Sequence, residues 1–537
     1  MPTPTGAGPF LPLGVACRLH FWKEDRYNNM SVDCVFTKYT GPRRGFNQFL
    51  PDLGLAYLSA ALKGAGYTCE LLHLDLPGSS PKDLLDYVER HKPRMLGIKL
   101  MRRGLPTLIR IAEEVKKLSP STLVVGGGPH ARICQETLFT HTNGFDALLI
   151  GEGDRAIVQL VEVAHGERTL HEVTNAAFHE DSRLVRTPMS IVEDLDSLPL
   201  PDWSLFDLEK YLPILTISAR KGCPYACAFC NYNFIDSHEN IGVQISKRGT
   251  IRVTRTTRDR KRTLPSLRQE ILTNIERYGV RLFALSDSLP DARTVDRLCD
   301  WLGDAHINSR WTSFGRIKHM DGLFEKMACA GWVSLWFGIE SGSKHVLKRM
   351  NKHYTARDIR QTIAAARAAG IQCHAGFVIG FPGEDENTLA ETLALAREIA
   401  LDSIVFTPYH LNPGSLVGEM PDYYGVAPLG DWLDRYAYSP DWHELHDLVY
   451  FGVDGEDNVS RLRRFQPLID RAFDTFLPRS PLSDPDYAQL LVSVMGEAAV
   501  DDVAQIDDVL AAEDFKRWEA FLARAWRAAD SGAAAAS

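Results

Sequence analysis

The sequence predicts an α/β protein in three parts: a doubly wound sheet, a partial (β/α)6 barrel and a mostly helical C-terminal region. Three observations carry that expectation. Short apolar runs alternate with helical patterns from about residue 11 to about residue 410, as parallel βα units do. Two of the runs end in glycine-rich turns, "GGGPH" at 126–130 and "GEGD" at 151–154. A doubly wound sheet binds its ligands at such strand ends. After about residue 425 the spacing turns helical, with Phe515, Trp518 and Leu522 at i, i+3 and i+7 forming an apolar, core-facing stripe.

Taken in order, the first part reads as a strand at 11–19, a polar loop, and a helix at 53–65 stopped by Gly66. Strands at 68–74, 94–99, 122–125 and 147–150 follow, with helices at 81–90 and 105–118 between them. "LDSLPLPDW" (195–203) is a proline-rich linker signal. Barrel strands are expected at 214–220, 281–287, 310–316, 334–340, 372–380 and 403–410, six being too few to close an eight-stranded barrel. The expected boundaries are 1–155, a linker at 156–210, the barrel at 211–420, helices capping the barrel mouth at 421–530, and a disordered tail "SGAAAAS" at 531–537.

Composition narrows the function. Of 537 residues, 45% are hydrophobic and 24% charged, the balance of a globular chain with ample core. A net charge of −9 gives no general attraction to nucleic acid or anionic membrane. No apolar run reaches the length of a membrane span, and "MPTPTGAGPF" lacks the features of a signal peptide. A cytoplasmic location follows as the expectation, and a reducing compartment argues against a disulfide framework. Seven of the ten cysteines (Cys17, Cys34, Cys69, Cys134, Cys299, Cys329, Cys373) are scattered singly and read as core thiols.

The other three stand in "KGCPYACAFCNYN" (221–233) as Cys223, Cys227 and Cys230, spaced C-x-x-x-C-x-x-C. A structural zinc site wants four closed ligands, usually as two pairs. No second C-x-x-C exists here, although the histidines of "DWHELHD" (441–447) are available. An iron–sulfur cluster normally takes four thiolates. Three leave one iron open to another ligand.

This spacing, with Phe229 before the last cysteine and the loop following a barrel strand, resembles the radical S-adenosylmethionine (SAM) superfamily. The resemblance implies a [4Fe-4S] cluster on Cys223, Cys227 and Cys230, whose open iron binds SAM. It implies that the reduced cluster cleaves SAM to methionine and a 5′-deoxyadenosyl radical, with the electron from an external donor of flavodoxin or ferredoxin type. "WFGIESGSKHVLKRMNK" (336–352) is similar to the family's fourth-strand segment, placing Glu340 and Ser341 by SAM. "GFVIGFPGEDENTL" (376–389) is similar to its fifth-strand motif, placing Ile379 by the adenine. At the second strand "ALSDSLP" (284–290) departs from the family's Gly-Gly-Glu, leaving Ser286, Asp287 or Ser288 to meet the SAM amino group. If Glu340 faces the lumen, strand parity puts Gly338, Trp336 and Ser334 there as well.

The segments 53–76, 124–138 and 145–154 resemble the cobalamin-binding, Rossmann-like domain that precedes many radical SAM cores. The resemblance implies cofactor contacts from Gly126, Gly127, Gly128, His130 and Glu152. The D-x-H-x-x-G motif, whose histidine ligates cobalt, is missing. The loop "LMRRGLP" (100–106) then falls under the corrin, with Arg102 favoured over Arg103 near cobalt, and base-off cobalamin is expected.

Together these imply a cobalamin-dependent radical SAM methyltransferase that methylates a carbon of a small-molecule or peptide natural-product intermediate. The alternatives are ring contraction or cyclisation by the same cofactors, RNA modification, and a non-catalytic redox or cobalamin sensor. The basic stretch 246–262 lacks the aromatic residues that would interleave with bases, so no nucleic-acid partner is expected. Tyr409 and His410 end the sixth strand and are the candidate acid–base or substrate-orienting groups, or else satisfied core residues.

Overall fold

The computed structural model describes residues 32–41, 46–236, 242–245, 251–254, 259–438, 450–478, 484–496 and 499–531. The expected strand at 11–19, the histidines of 441–447, much of the basic stretch 246–262 and the tail beyond 531 lie outside the described residues.

The first sheet has seven strands: β1 (Cys34–Lys38), β2 (Cys69–His73), β3 (Met95–Lys99), β4 (Leu123–Gly127), β5 (Ala147–Leu149), β6 (Ala176–Glu180) and β7 (Arg183–Arg186), in the order β2-β1-β3-β4-β5-β6-β7. The first five run parallel, β6 pairs antiparallel with β5, and β7 pairs antiparallel with β6. The chain lays β2 on one side of β1 and β3 on the other, so the switch point, where such sheets bind ligands, lies at the carboxyl ends of β1 and β3.

Two parts of this sheet differ from expectation. β1 falls in the expected polar loop. All five of its residues are buried, and a strand covered on both faces shows no alternation to read. It ends in Lys38, 7% exposed, which sits 3.5 Å from the Asp52 carboxylate. β6 and β7 fall in the expected linker. Their two-residue turn, Asp181 and Ser182 at φ +49° and +61°, is the left-handed hairpin geometry that glycine usually marks, and no glycine is there.

Two short pairs, β9 (Arg220–Lys221) with β12 (Arg260–Lys261) and β10 (Gly242–Ile245) with β11 (Ile251–Thr254), follow β8 (Ile214–Ile217). With β13 (Leu282–Leu285), β14 (Arg310–Gly315), β15 (Trp332–Glu340), β16 (Gln372–Ile379) and β17 (Ser403–Pro408), β8 builds a six-stranded parallel sheet in sequential order, the partial barrel. Each expected barrel strand is present, five of them trimmed and β15 begun two residues early.

Only part of the C-terminal region lies at the mouth as expected. Helix Asn458–Thr475 packs at the carboxyl end of β16, where Arg461 donates to Gly380 O, while the later helices lie at the other end. Pro485–Met495 and Phe515–Ser531 pack against the barrel floor, where Leu490, Leu491, Trp518, Phe521 and Leu522 share one cluster with Ile214, Leu282 and Ala284. Ser334, low in β15, donates its hydroxyl to Asp486 O at 3.2 Å. The strands begin with apolar side chains, and covering them removes more apolar surface from water than a polar mouth offers. The stripe through Trp518 and Leu522 is core, as its spacing predicts.

Candidate active site

The cysteine loop is fixed at its root by one carboxylate. Asp287, just past the end of β13, accepts from the backbone N–H of Ala219 (2.8 Å) and Arg220 (2.9 Å) and from the Ser218 hydroxyl (3.2 Å), which directs the chain as it leaves β8. Burial pushes Asp287 up to about 7 against those bonds. Further along, Ala228 N–H donates to Met350 O (2.9 Å), Asn351 to Ala226 O (2.7 Å) and Asn412 to Phe229 O (3.1 Å). Chain from beyond the fourth and sixth barrel strands therefore holds the loop.

All three cysteines are half-buried. Burial and the neighbouring Cys227 and Cys223 push the Cys230 thiol up to about 12, so the thiols share one field. Among the described residues no three His, Cys, Asp or Glu side chains converge to hold a single metal ion. A cubane does not ask for that, because each thiolate takes a different iron. Three thiols on one anchored loop supply three of the four thiolates that such a cluster normally takes.

Two cations meet this loop that reasoning from sequence did not assign. Arg316, just after β14, donates from Nη1 to Cys227 Sγ (3.6 Å) and from Nη2 to Lys352 O (2.6 Å), and its guanidinium lies 3.7 Å from the Tyr225 ring centroid. Lys352 Nζ lies 2.9 Å from Glu340 Oε1, donates to Gly338 O (3.3 Å), and stands 5.3 Å from the Phe229 ring centroid. Burial opposes the Lys352 charge, but Cys227 and Glu340 outweigh it and its pKa rises.

Glu340 ends β15 at φ +69°, a left-handed conformation uncommon for a non-glycine residue and a frequent mark of functional sites. A bulge between Gly338 and Glu340 breaks the simple parity expected there, while Tyr354 Oη clamps it by donating to Gly338 O (2.8 Å) and Ile339 O (3.1 Å). The carboxylate folds back over Gly338, where an added Cβ would lie 2.5 Å from Glu340 Oε1. Below the bulge, parity holds: Trp336 is half-buried in the lumen while Leu335, Phe337 and Ile339 are buried outward.

Other expected SAM residues are packed against the protein in this structure. The buried Ser341 hydroxyl bonds Thr392 Oγ1 (3.0 Å) and accepts from Ser343 N–H (3.1 Å). Ile379 is buried, and Phe229 meets Phe381 edge-on at 6.4 Å. Ser286 and Ser288 line an open cavity, described below. Tyr409 and His410 are placed differently from an acid–base pair. β17 ends at Pro408, and the chain turns both into the core. Tyr409 stacks edge-on against Phe381 and Phe451, its hydroxyl buried without a partner among the described residues, and burial raises its pKa well beyond use. His410 Nδ1 lies 3.2 Å from the Tyr450 hydroxyl.

Across from the cysteine loop, a cavity of about 320 Å³ is lined by Gly128, Pro129, Ile150, Gly151 and Glu152 of the first sheet and by Ser218, Arg220, Lys221, Ser286 and Ser288 of the barrel. Gly128 enters it at φ +94°, and Gly127 has room for close approach. Gly126 instead serves packing, since an added Cβ would press Leu148 and Leu100. Glu152 is an interdomain tie: Arg260 donates to both its oxygens (2.6 and 3.0 Å) and Val192 N–H to one (2.6 Å). His130 is buried, with Nε2 3.2 Å from Ala437 O, and burial and Arg102 pull it down to about 4. Arg102 lies over the Tyr436 ring at 4.3 Å; its Nε and Nη2, and Arg103 Nε, are buried without partners among the described residues. Orphaned donors and an uncrowded glycine edge fit a large polar cofactor at this strand end.

The B12 binding domain family matches residues 44–161, and the Radical SAM superfamily matches residues 217–396. The chain therefore joins a B12 binding domain to a radical SAM domain, the pairing its sequence resembles. These are the domains expected to bind cobalamin and SAM. An uncharacterized methyltransferase of Pyrococcus horikoshii is 23% identical over 381 residues, covering 69% of this chain and 78% of that one. The anaerobic magnesium-protoporphyrin IX monomethyl ester cyclase of Rubrivivax gelatinosus is 26% identical over 373 residues, or 65% of this chain and 62% of that one. The fold of this radical SAM protein resembles that of the methyltransferase TsrM from Kitasatospora setae, solved with cobalamin and a [4Fe-4S] cluster. The TM-score is 0.64 at 15% identity, over 90% of this chain and all of that one. Among the described residues no helix is long and apolar enough to cross a membrane.

Proposed function

We propose that this radical SAM protein is a methyltransferase that places a methyl group on a carbon of a small-molecule or peptide substrate. One observation carries the reading: a single cavity is lined both by the glycine-rich end of the B12 binding domain and by the barrel segments that root the cysteine loop. Bound there, the cluster and SAM supply a 5′-deoxyadenosyl radical and cobalamin supplies the methyl group, since cofactors carry such chemistry. The chain contributes the rest. Asp287 sets the loop's exit, Glu340 offers a carboxylate beside it, and the Glu152–Arg260 pair ties the two halves together. An external one-electron donor of flavodoxin or ferredoxin type completes the cycle.

The test is anaerobic turnover of the reconstituted holoenzyme with methyl-deuterated SAM and candidate substrates, read by mass spectrometry. A product carrying an intact CD3 group supports methyl transfer. 5′-Deoxyadenosine with a product that gains no deuterated methyl would instead favour ring formation, the reading that the Rubrivivax relative's name suggests.

A further inference from the structure

Most of the other buried polar clusters have a structural task. Lys38 and Lys99 both bind the Asp52 carboxylate at the ends of β1 and β3. Arg461 ties helix Asn458–Thr475 to the carbonyls of Gly380, Phe381 and Glu384. The groove at the barrel floor near Cys329 holds no charged pair aimed into it. The cations at the cysteine loop differ, because Arg316 meets a thiol, a carbonyl and two rings and has no carboxylate among its described partners.

Arg316 is 7% exposed and Lys352 is 5% exposed. Only one carboxylate, that of Glu340, is among their described partners, and it pairs with Lys352. The described partners of Arg316 are the Cys227 thiol, the Lys352 carbonyl and the faces of Tyr225 and Tyr354, the latter at 5.3 Å. Two positive charges and one negative charge thus adjoin three cysteines on the interior side of the loop. At low local dielectric an uncancelled cation acts strongly on a neighbouring charge. Cluster potentials respond to the net charge and hydrogen bonds around the sulfurs.

We propose that Arg316 and Lys352 form a cationic clamp on the Cys227 edge that stabilises the one-electron-reduced cluster and so sets its potential. This rests on the cluster reading above. The electron comes from the external donor; reduction makes the cluster one unit more negative, with no bond formed or broken. The cations favour that extra charge, the Cys227 contact couples Arg316 to one thiolate, and Tyr225 and Tyr354 shield the pair from water. These are positioning residues. Lys352 also pairs with Glu340, the left-handed residue beside the bulge.

The test is a redox titration of the SAM-free, anaerobically reconstituted full chain, followed by low-temperature electron paramagnetic resonance. Lys352→Gln, with Arg316→Gln as a second variant, is compared with the parent at matched iron content. At a fixed solution potential each variant is expected to show a reduced-to-oxidised ratio about tenfold lower, a midpoint about 59 mV more negative for a one-electron couple. Lys352→Arg should restore the parent value, as a merely structural lysine need not. A full cluster with an unmoved midpoint in both Gln variants overturns the proposal alone. A parent chain that takes up no cluster overturns the cluster reading and the proposal with it.

Discussion

Around the cysteine loop, buried cations have partners: Lys352 has Glu340 and a carbonyl, and Arg316 has a thiol, a carbonyl and two rings. In the B12 binding domain, past the end of β3, Arg102 and Arg103 keep buried nitrogens without partners among the described residues. An unpaired buried donor costs about 1–3 kcal/mol. A face that tolerates several is one whose acceptors arrive with a ligand. The barrel site is thus organised by the chain itself, and the B12 site is completed by what it holds.

The largest expected effect breaks one side and spares the other. Changing Cys223, Cys227 and Cys230 together to Ala should remove all reconstituted iron and the visible absorbance that goes with it. Cobalamin affinity, measured in the same preparation by titration, should stay within about twofold. Loss of cobalamin binding as well would show that the two sites are not organised separately.

A smaller effect concerns the root of the loop. Asp287 is held near 7 in the fold, against about 3.9 in an unfolded chain. Between about pH 4 and about pH 7 the folded state keeps a proton that the unfolded state has released. The stability Asp287 contributes is therefore full below about pH 4 and lost as pH rises through about 7. Asp287→Asn keeps an acceptor for Ala219 and Arg220 and removes this slope. Denaturant melts at about pH 5 and about pH 7.5 should show the parent losing on the order of 2 kcal/mol more than the variant. Equal losses would mean that Asp287 does not titrate in this way.

The smallest effect is expected at Tyr409. Its hydroxyl is buried without a described partner, so Tyr409→Phe should leave 5′-deoxyadenosine formation unchanged and stability equal or raised by up to about 1 kcal/mol. A fall in turnover with normal folding would return it to the list of acid–base candidates.

The order of elements was legible in the sequence because parallel βα units repeat a strong pattern. The cysteine spacing was legible because three thiols in eight residues have few uses. β1 was missed because a fully buried strand ending in Lys38 looks polar, and β6 and β7 because their turn lacks glycine. Arg316 and Lys352 were passed over for a different reason. Nothing local in "GRI" or "NK" says that two distant segments converge on one cysteine; only the sheet order of β14 and β15 brings them together. The parity argument through Trp336 held until the bulge at Gly338, which no periodicity announces. The helices past residue 484 were legible as helices, but not as the floor of the barrel.

The central claim is that cluster and cobalamin face one cavity between the first sheet and the barrel. Electron paramagnetic resonance of the protein loaded with both cofactors tests it most directly, with cobalt held as cob(II) and the cluster reduced. The account predicts a cob(II) signal without axial nitrogen splitting that is broadened or split by spin coupling when the cluster is reduced, and that returns to its unperturbed cobalt hyperfine pattern in the triple cysteine variant. Two unperturbed, additive signals in the doubly loaded protein would contradict it.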